Sequence, residues 1–433
     1  MANAATQCAW HGPEVAVEIS RSTQADWQAQ LPGPGMKTEN NAICGTAPLV
    51  KGAAPRKLFF PNLNGVRFVA ALMVIVHHVE QTKKYFHLPS RYQDNVMGTD
   101  LGGLGVTLFF VLSGFLITYL LLVEKHESGT VSLRNFYVRR ILRIWPLYYF
   151  AVLLAFFVIP AFFPGLMVGS FADKLPVHFW PKLAMYLLLV PNVLFVLRAY
   201  FPPVLFASQA WSIGVEEQFY AVWPVLVKFS RRLPLILGAI VASFVVVAIL
   251  IVLAPDNILW LHFVKNFLLV TRIDCMAVGG LAAWLLVKNA PALAVIYSVP
   301  VQCAAYLLTF VLVYFQVSFQ FSNHLPYAIL YAVLLLNLAA NPRTLLHLNN
   351  RVFDYLGRIS YGLYMYHLLA IVVSIRAVVW LIHGYSPMIN ALIYALSIIL
   401  VVLISTVSYE FFEKPFLKLK VRFSTVVSGD NAR

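Results

Sequence analysis

The stretch at 65–80, GVRFVAALMVIVHHVE, sets a guanidinium (Arg67), two imidazoles (His77, His78) and a carboxylate (Glu80) in an otherwise apolar run. Ionisable groups inside a membrane span are costly, so they usually face polar cavities and serve function. On a helix the eleven residues from Arg67 to His78 turn through about 1100°, leaving the two side chains about 20° apart on one face and roughly 16 Å apart along it. His77 falls about 80° to the other side and Glu80 about 220° round. Helical geometry therefore pairs Arg67 with His78. An imidazole titrates close enough to neutral pH to take or give a proton there. The plain alternative is an interfacial histidine near a helix end, with Arg67 snorkelling to the inner headgroups.

Other stretches add chemistry. In RNFYVRRILRIWPLYY, Arg139, Arg140 and Arg143 stand at the mouth of a span, and Arg140 and Arg143 share a helical face. Ordinary positive-inside anchoring accounts for such a density of arginines; the functional reading is an anion clamp, since guanidinium forks match phosphate oxygens. QAWSIGVEEQFYAVWPVL aligns Glu216, Tyr220 and Trp223 on one face, with Glu217 about 100° away. A carboxylate in an apolar setting needs partners or a proton, which makes Glu216 a proton handler or cation partner. Pro224 is expected to break or kink that helix. The glycines and Ser113 of GGLGVTLFFVLSGFLITYLLL are expected to serve close packing, because no nucleophile-elbow context surrounds the serine. Arg272 and Asp274 are expected to form an internal ion pair, and Ser360, Tyr364 and His367 of RISYGLYMYH a structural hydrogen-bond network.

These residues need elements to hold them. With 60% hydrophobic residues and a mean hydropathy of +0.76 over 433 residues, the chain is expected to be an all-α polytopic membrane bundle. Its apolar runs are continuous rather than alternating, which argues against a β-barrel. Eleven apolar segments are visible. If 182–198, broken by PNV, dips in without crossing, ten spans remain and both termini are cytoplasmic, with 20 Lys and Arg on the inner segments against 7 outside. That asymmetry accounts for the net charge of +14, and no basic face with interleaved aromatics calls for nucleic acid. Cys8, Cys44, Cys275 and Cys303 lack ligand-type spacing, so neither a disulfide framework nor a metal site follows. The expected organisation is a disordered cytoplasmic tail over 1–57, a membrane domain over 58–415 and a short cytoplasmic tail over 416–433.

Five of these stretches, taken in order, resemble the acyltransferase 3 family of integral membrane acyltransferases over about residues 58–420. Arg67 and His78 meet that family's arginine, ten intervening residues and histidine. Arg140 and Arg143 match its arginine pair separated by two residues, with Arg139 beside them. FFVLSGFLIT and WSIGVEEQFY look like its signatures, with Glu216 at the recurrent acidic position, although Trp-Ser-Leu is the usual form of the latter. ISYGLYMYH is similar to its late-span motif. Members that O-acetylate bacterial polysaccharides often carry a further C-terminal hydrolase-like domain, and this sequence departs from that pattern.

The resemblance implies transfer of an acyl group, most often acetyl, from cytoplasmic acyl-CoA to a hydroxyl of a carbohydrate or other acceptor, in a bacterial inner membrane. His78 would be the general base, with a covalent acyl-histidine relay as the second route. Arg67 would stabilise the thioester oxyanion or a CoA phosphate, and Glu216 would orient or charge-balance the pair. Arg139, Arg140 and Arg143 would hold the CoA phosphates. Acyl-CoA is thus a substrate rather than a resident cofactor, and the partners are acyl-CoA, the acceptor and the bilayer. The competing expectation is a transporter or flippase whose permeation path is lined by the same charged groups.

Overall fold

The computed structural model describes residues 56–58, 60–90, 101–168, 178–197, 204–253, 259–315, 317, 319, 324–382, 387–424 and 426–428. Residues 1–49 and 50–433 form separate units. The first unit, and with it nearly all of the expected tail, lies outside the described residues.

Apolar runs can satisfy their own backbone in a bilayer as helix, and helix dominates. The first three are α1 (Leu63–Lys83), α2 (Leu101–Ser128) and α3 (Leu133–Leu153), the last continuing through a π-helical stretch to Phe162. Next come the short α4 (Phe179–Leu187) and α5 (Asn192–Val196). They are followed by α6 (Ala210–Phe229), α7 (Leu233–Leu253), α8 (Leu259–Thr271), α9 (Ile273–Val287) and α10 (Ala292–Ile296). The chain closes with α11 (Val299–Tyr314), α12 (Leu325–Ala340), α13 (Arg351–Arg358), α14 (Ser360–Leu381), α15 (Pro387–Val407) and α16 (Lys414–Val421).

Seven helices among the described residues are long and apolar enough to cross a membrane, and α11 and α12 are shorter apolar ones. The chain is an integral, polytopic α-helical membrane protein. At nine residues α4 is about 14 Å long, half the roughly 30 Å of a hydrocarbon core. The described part of that segment, residues 182–197, is therefore covered by two short helices, parted where Leu189 takes a left-handed φ of 60° before Pro191. Pro224, expected to interrupt α6, does not do so, and the helix runs on to Phe229. A single absent N–H is tolerated where neighbouring helices pack around it.

The long α2 is the axis of the bundle, packed against α1, α6, α9 and α12. Its closest partner is α9, and two glycines set that approach. A Cβ at Gly114 would enter the Met276 carbonyl, and one at Gly279 the Val111 carbonyl. Without an aqueous phase to drive helices together, such backbone proximity is where packing energy comes from. At the periphery, α7 buries only Leu233 and Leu237 among its described side chains.

The described part of the C-terminal segment is built on helix. After α15, a π-helical stretch at Ser408–Glu413 leads directly into α16, which packs on α3. Beyond it Val426–Ser428 pairs in parallel with Arg56–Leu58, joining the two ends of the 50–433 unit.

Candidate active site

Three helices bring expected site residues to one cavity of about 400 Å³: Arg67 from α1, Arg140 and Arg143 from α3, and Glu216 from α6. Each is placed by local geometry. Arg67 sits in the first turns of α1, where its Nη1 donates to Asn64 Oδ1 at 2.7 Å. Asn64 in turn donates to Asp354 Oδ1 at 2.8 Å, tying the start of α1 to α13. The Arg140 guanidinium lies 5.6 Å from the Phe136 ring and 5.5 Å from the Tyr220 ring, a pair of cation–π contacts bridging α3 and α6.

Glu216 is held on both oxygens. Ser113 Oγ donates to Oε1 at 3.0 Å, and Tyr220 OH to Oε2 at 2.8 Å. Ser113, expected to serve packing alone, therefore orients the carboxylate from α2. Glu217 points elsewhere and accepts from Trp145 Nε1 at 2.9 Å. Of the two adjacent acids, the one that lines the cavity is Glu216.

Arg139 departs from the expected cluster. Its Nη2 lies 3.0 Å from Glu124 Oε2, and its Nη1 donates to the Phe423 carbonyl at 2.8 Å. Glu124 also accepts from the Ser132 backbone N–H at 2.9 Å. Arg139 thus braces the ends of α2 and α3 against the C-terminal segment and does not line the cavity. Its immediate neighbour in the sequence does, because successive helical residues point about 100° apart.

His78 stands one layer of rings beyond the cavity wall. Tyr364 lines the cavity, its ring centroid is 5.8 Å from that of His367, and the His367 ring is 4.7 Å from that of His78. Arg67 and His78 share a face of α1, and the structure puts the first in the cavity and the second just past it. His78 Nδ1 is 2.8 Å from the Val74 carbonyl. A carbonyl only accepts, so Nδ1 carries the hydrogen and Nε2 keeps its lone pair in the neutral ring. His367 repeats this arrangement with Nδ1 2.6 Å from the Tyr364 carbonyl, leaving a buried Nε2 without a hydrogen-bond partner. His77 is buried at the α1–α2 contact, against Gly102.

The late-span stripe forms the expected network in part. The Tyr364 hydroxyl is 2.7 Å from Ser212 Oγ and donates to the Gln209 carbonyl at 3.0 Å. The face of His367 toward His78 had no signal in the sequence, because the two residues lie 289 positions apart and meet only in the folded bundle. Arg272 turns toward α2, donating to the Gly103 carbonyl at 2.7 Å and to Thr107 Oγ1 at 3.2 Å, with the Trp211 ring 5.6 Å away. A larger cavity of about 800 Å³ opens beside the Val66, Val69 and Met73 stripe of α1 and holds none of the expected site residues.

Residues 60–410 match a family described as an acyltransferase domain. The chain is 26% identical over 392 residues to the O-acetyltransferases OatA of Staphylococcus aureus strains NCTC 8325, COL and MRSA252, covering 86% of this chain. The same alignments cover 59% of those proteins, so the chain spans about three-fifths of the length of the curated relatives it matches. No solved structure matches the chain.

Proposed function

The chain belongs to the acyltransferase 3 family, and we propose that it transfers an acyl group, acetyl in the simplest case, from acyl-CoA to a hydroxyl of a carbohydrate or other acceptor. The relatives' name, O-acetyltransferase, supports the acceptor atom. The observation that carries the reading is the convergence of Arg67, Arg140, Arg143 and Glu216 on one cavity from three helices.

Donor binding follows from charge. CoA presents a diphosphate and a 3′-phosphate, and guanidinium groups grip phosphate oxygens bidentately. Arg140 and Arg143 enter from the α3 side and Arg67 from α1. The thioester arm then runs inward past Glu216 and Tyr364 towards His78. There the lone pair of Nε2 takes the proton of the acceptor hydroxyl as its oxygen attacks the thioester carbonyl. The carbon–sulfur bond breaks, and the proton passes from the imidazolium to the CoA thiolate. Free CoA and an ester leave. Glu216 compensates the cavity's positive charge and orients Arg140 through Tyr220. We place the chain in a bacterial inner membrane with ten spans and its donor mouth facing the cytoplasm, on the strength of the 20-to-7 distribution of basic residues.

The direct test incubates membranes containing the protein with labelled acetyl-CoA and a panel of hydroxyl acceptors. Acceptor-dependent release of free CoA with label moving to the acceptor is expected, and it disappears with His78→Ala. Solute passage with no CoA release would replace this reading with the transporter.

A further inference from the structure

The cavity holds more cations than the mechanism uses. Besides Arg67, Arg140 and Arg143, its wall includes Arg358 and three lysines of α16, Lys414, Lys418 and Lys420. Two of these have acidic neighbours, Arg358 at 3.9 Å from Asp354 and Lys414 at 2.6 Å from Glu410. Lys420 is different. It shares the cavity with Arg67, Arg140 and Arg143, and the charge effects that weigh most on it come from these cations. It is part-buried, so solvent screens this repulsion incompletely. Like charges gathered in one cavity repel until a polyanion enters, which turns each repulsive neighbour into a fellow ligand.

Nor is α16 a loose strand that happens to lie there. It continues α15 without a break, packs on α3, and is followed by Phe423, whose carbonyl Arg139 grips. The pairing of Val426–Ser428 with Arg56–Leu58 ties down the next turn of chain. Four separate restraints hold a basic helix against the opening of a basic cavity.

We propose that α16 is a wall of the donor site and that Lys420 is a phosphate-binding residue for acyl-CoA, acting beside Arg140 and Arg143. Arg139 is then a positioning residue, which holds α16 in place from outside the cavity. This inference rests on reading the cavity as the acyl-CoA site. A lysine supplies a compact point charge where the arginines supply forks, a division suited to a ligand with both a diphosphate and a separate phosphate monoester.

The test titrates acetyl-CoA into the full-length protein in nanodiscs, by calorimetry, at several salt concentrations. Lys420→Gln is expected to weaken binding about tenfold, the effect of one hydrogen bond to a charged group, and to flatten its salt dependence. Lys420→Arg keeps the charge and binds within a few-fold of the parent. Arg422→Gln removes the same charge from an exposed position two residues on, and binds like the parent. Parental affinity in Lys420→Gln, together with weakened binding in the Arg140→Lys, Arg143→Lys double variant, overturns the role of α16 and leaves the CoA reading intact. Absence of acetyl-CoA binding by the parent protein overturns both.

Discussion

At the scale of single residues, the assignment turns on which member of each adjacent pair the backbone aims inward. His77 and His78 are neighbours, yet one packs into the α1–α2 contact and the other presents its ring to His367. His78→Ala will abolish transfer, whereas His77→Gln, which keeps the bulk at that contact, will retain most of it. Equal loss in two well-inserted variants would show that the wrong imidazole has been chosen. Glu216 and Glu217 divide in the same way. Ser113→Ala and Tyr220→Phe each remove one hydrogen bond to the Glu216 carboxylate, about 1.5–3 kcal/mol apiece. Each will slow transfer by roughly tenfold or more. Because both act through one carboxylate, the double variant will lose less than the product of the two and no more than Glu216→Gln. Additive losses in a double-mutant cycle would separate the hydroxyls from Glu216.

At the scale of elements, the site depends on how closely α2 approaches α9 and on how α3 presents its arginines. Neither Gly114 nor Gly279 has room for a Cβ, since each faces the partner helix's backbone and not a side chain that can swing aside. Gly114→Ala or Gly279→Ala will therefore force the helices apart and destabilise the protein by about 1–3 kcal/mol or more, the cost of overpacking. The measurement is thermal unfolding in detergent, with Gly165→Ala, where a Cβ meets open space, as the silent control. For α3, fork geometry separates a phosphate grip from topological anchoring, which needs charge alone. Replacing Arg140 and Arg143 together by Lys will weaken acyl-CoA binding by about 1–3 kcal/mol at normal membrane levels. Arg134→Lys, nearer the start of α3 and away from the cavity, will behave like the parent. Unchanged affinity in the double variant would leave these arginines as anchors.

At the scale of the whole molecule, orientation follows from where the basic residues fall. A reporter fused after Arg433 and another inserted between Ser128 and Gly129 will both be read in the cytoplasm. Their positions are compatible in the fold, since the α2–α3 turn and the segment after α16 are bridged through Glu124, Arg139 and Phe423. Two elements tied by a part-buried ion pair and a hydrogen bond lie on the same side of the membrane. A reporter read outside after Arg433 but inside after Ser128 would contradict that bridge as well as the charge rule.

Much of this protein was legible from residues in order. Continuous apolar runs dictated helices, since a bilayer allows an open chain no other way to satisfy its backbone. The eleven-residue spacing aligned Arg67 with His78 because helical periodicity is a property of the local chain, and the same periodicity set Glu216 with Tyr220. The break at 182–198 was announced by its proline. What the chain's order did not contain was which side chains meet from different helices. Ser113 reads as a packing residue until α6 brings Glu216 to it, and Arg139 reads as one of three equal arginines until Glu124 and Phe423 claim it. His367 reaches His78, and Lys420 joins the arginines of α3 in one cavity, across long separations in sequence. Local spacing fixes the direction of a side chain relative to its own helix axis; only packing of helix on helix decides what lies in that direction.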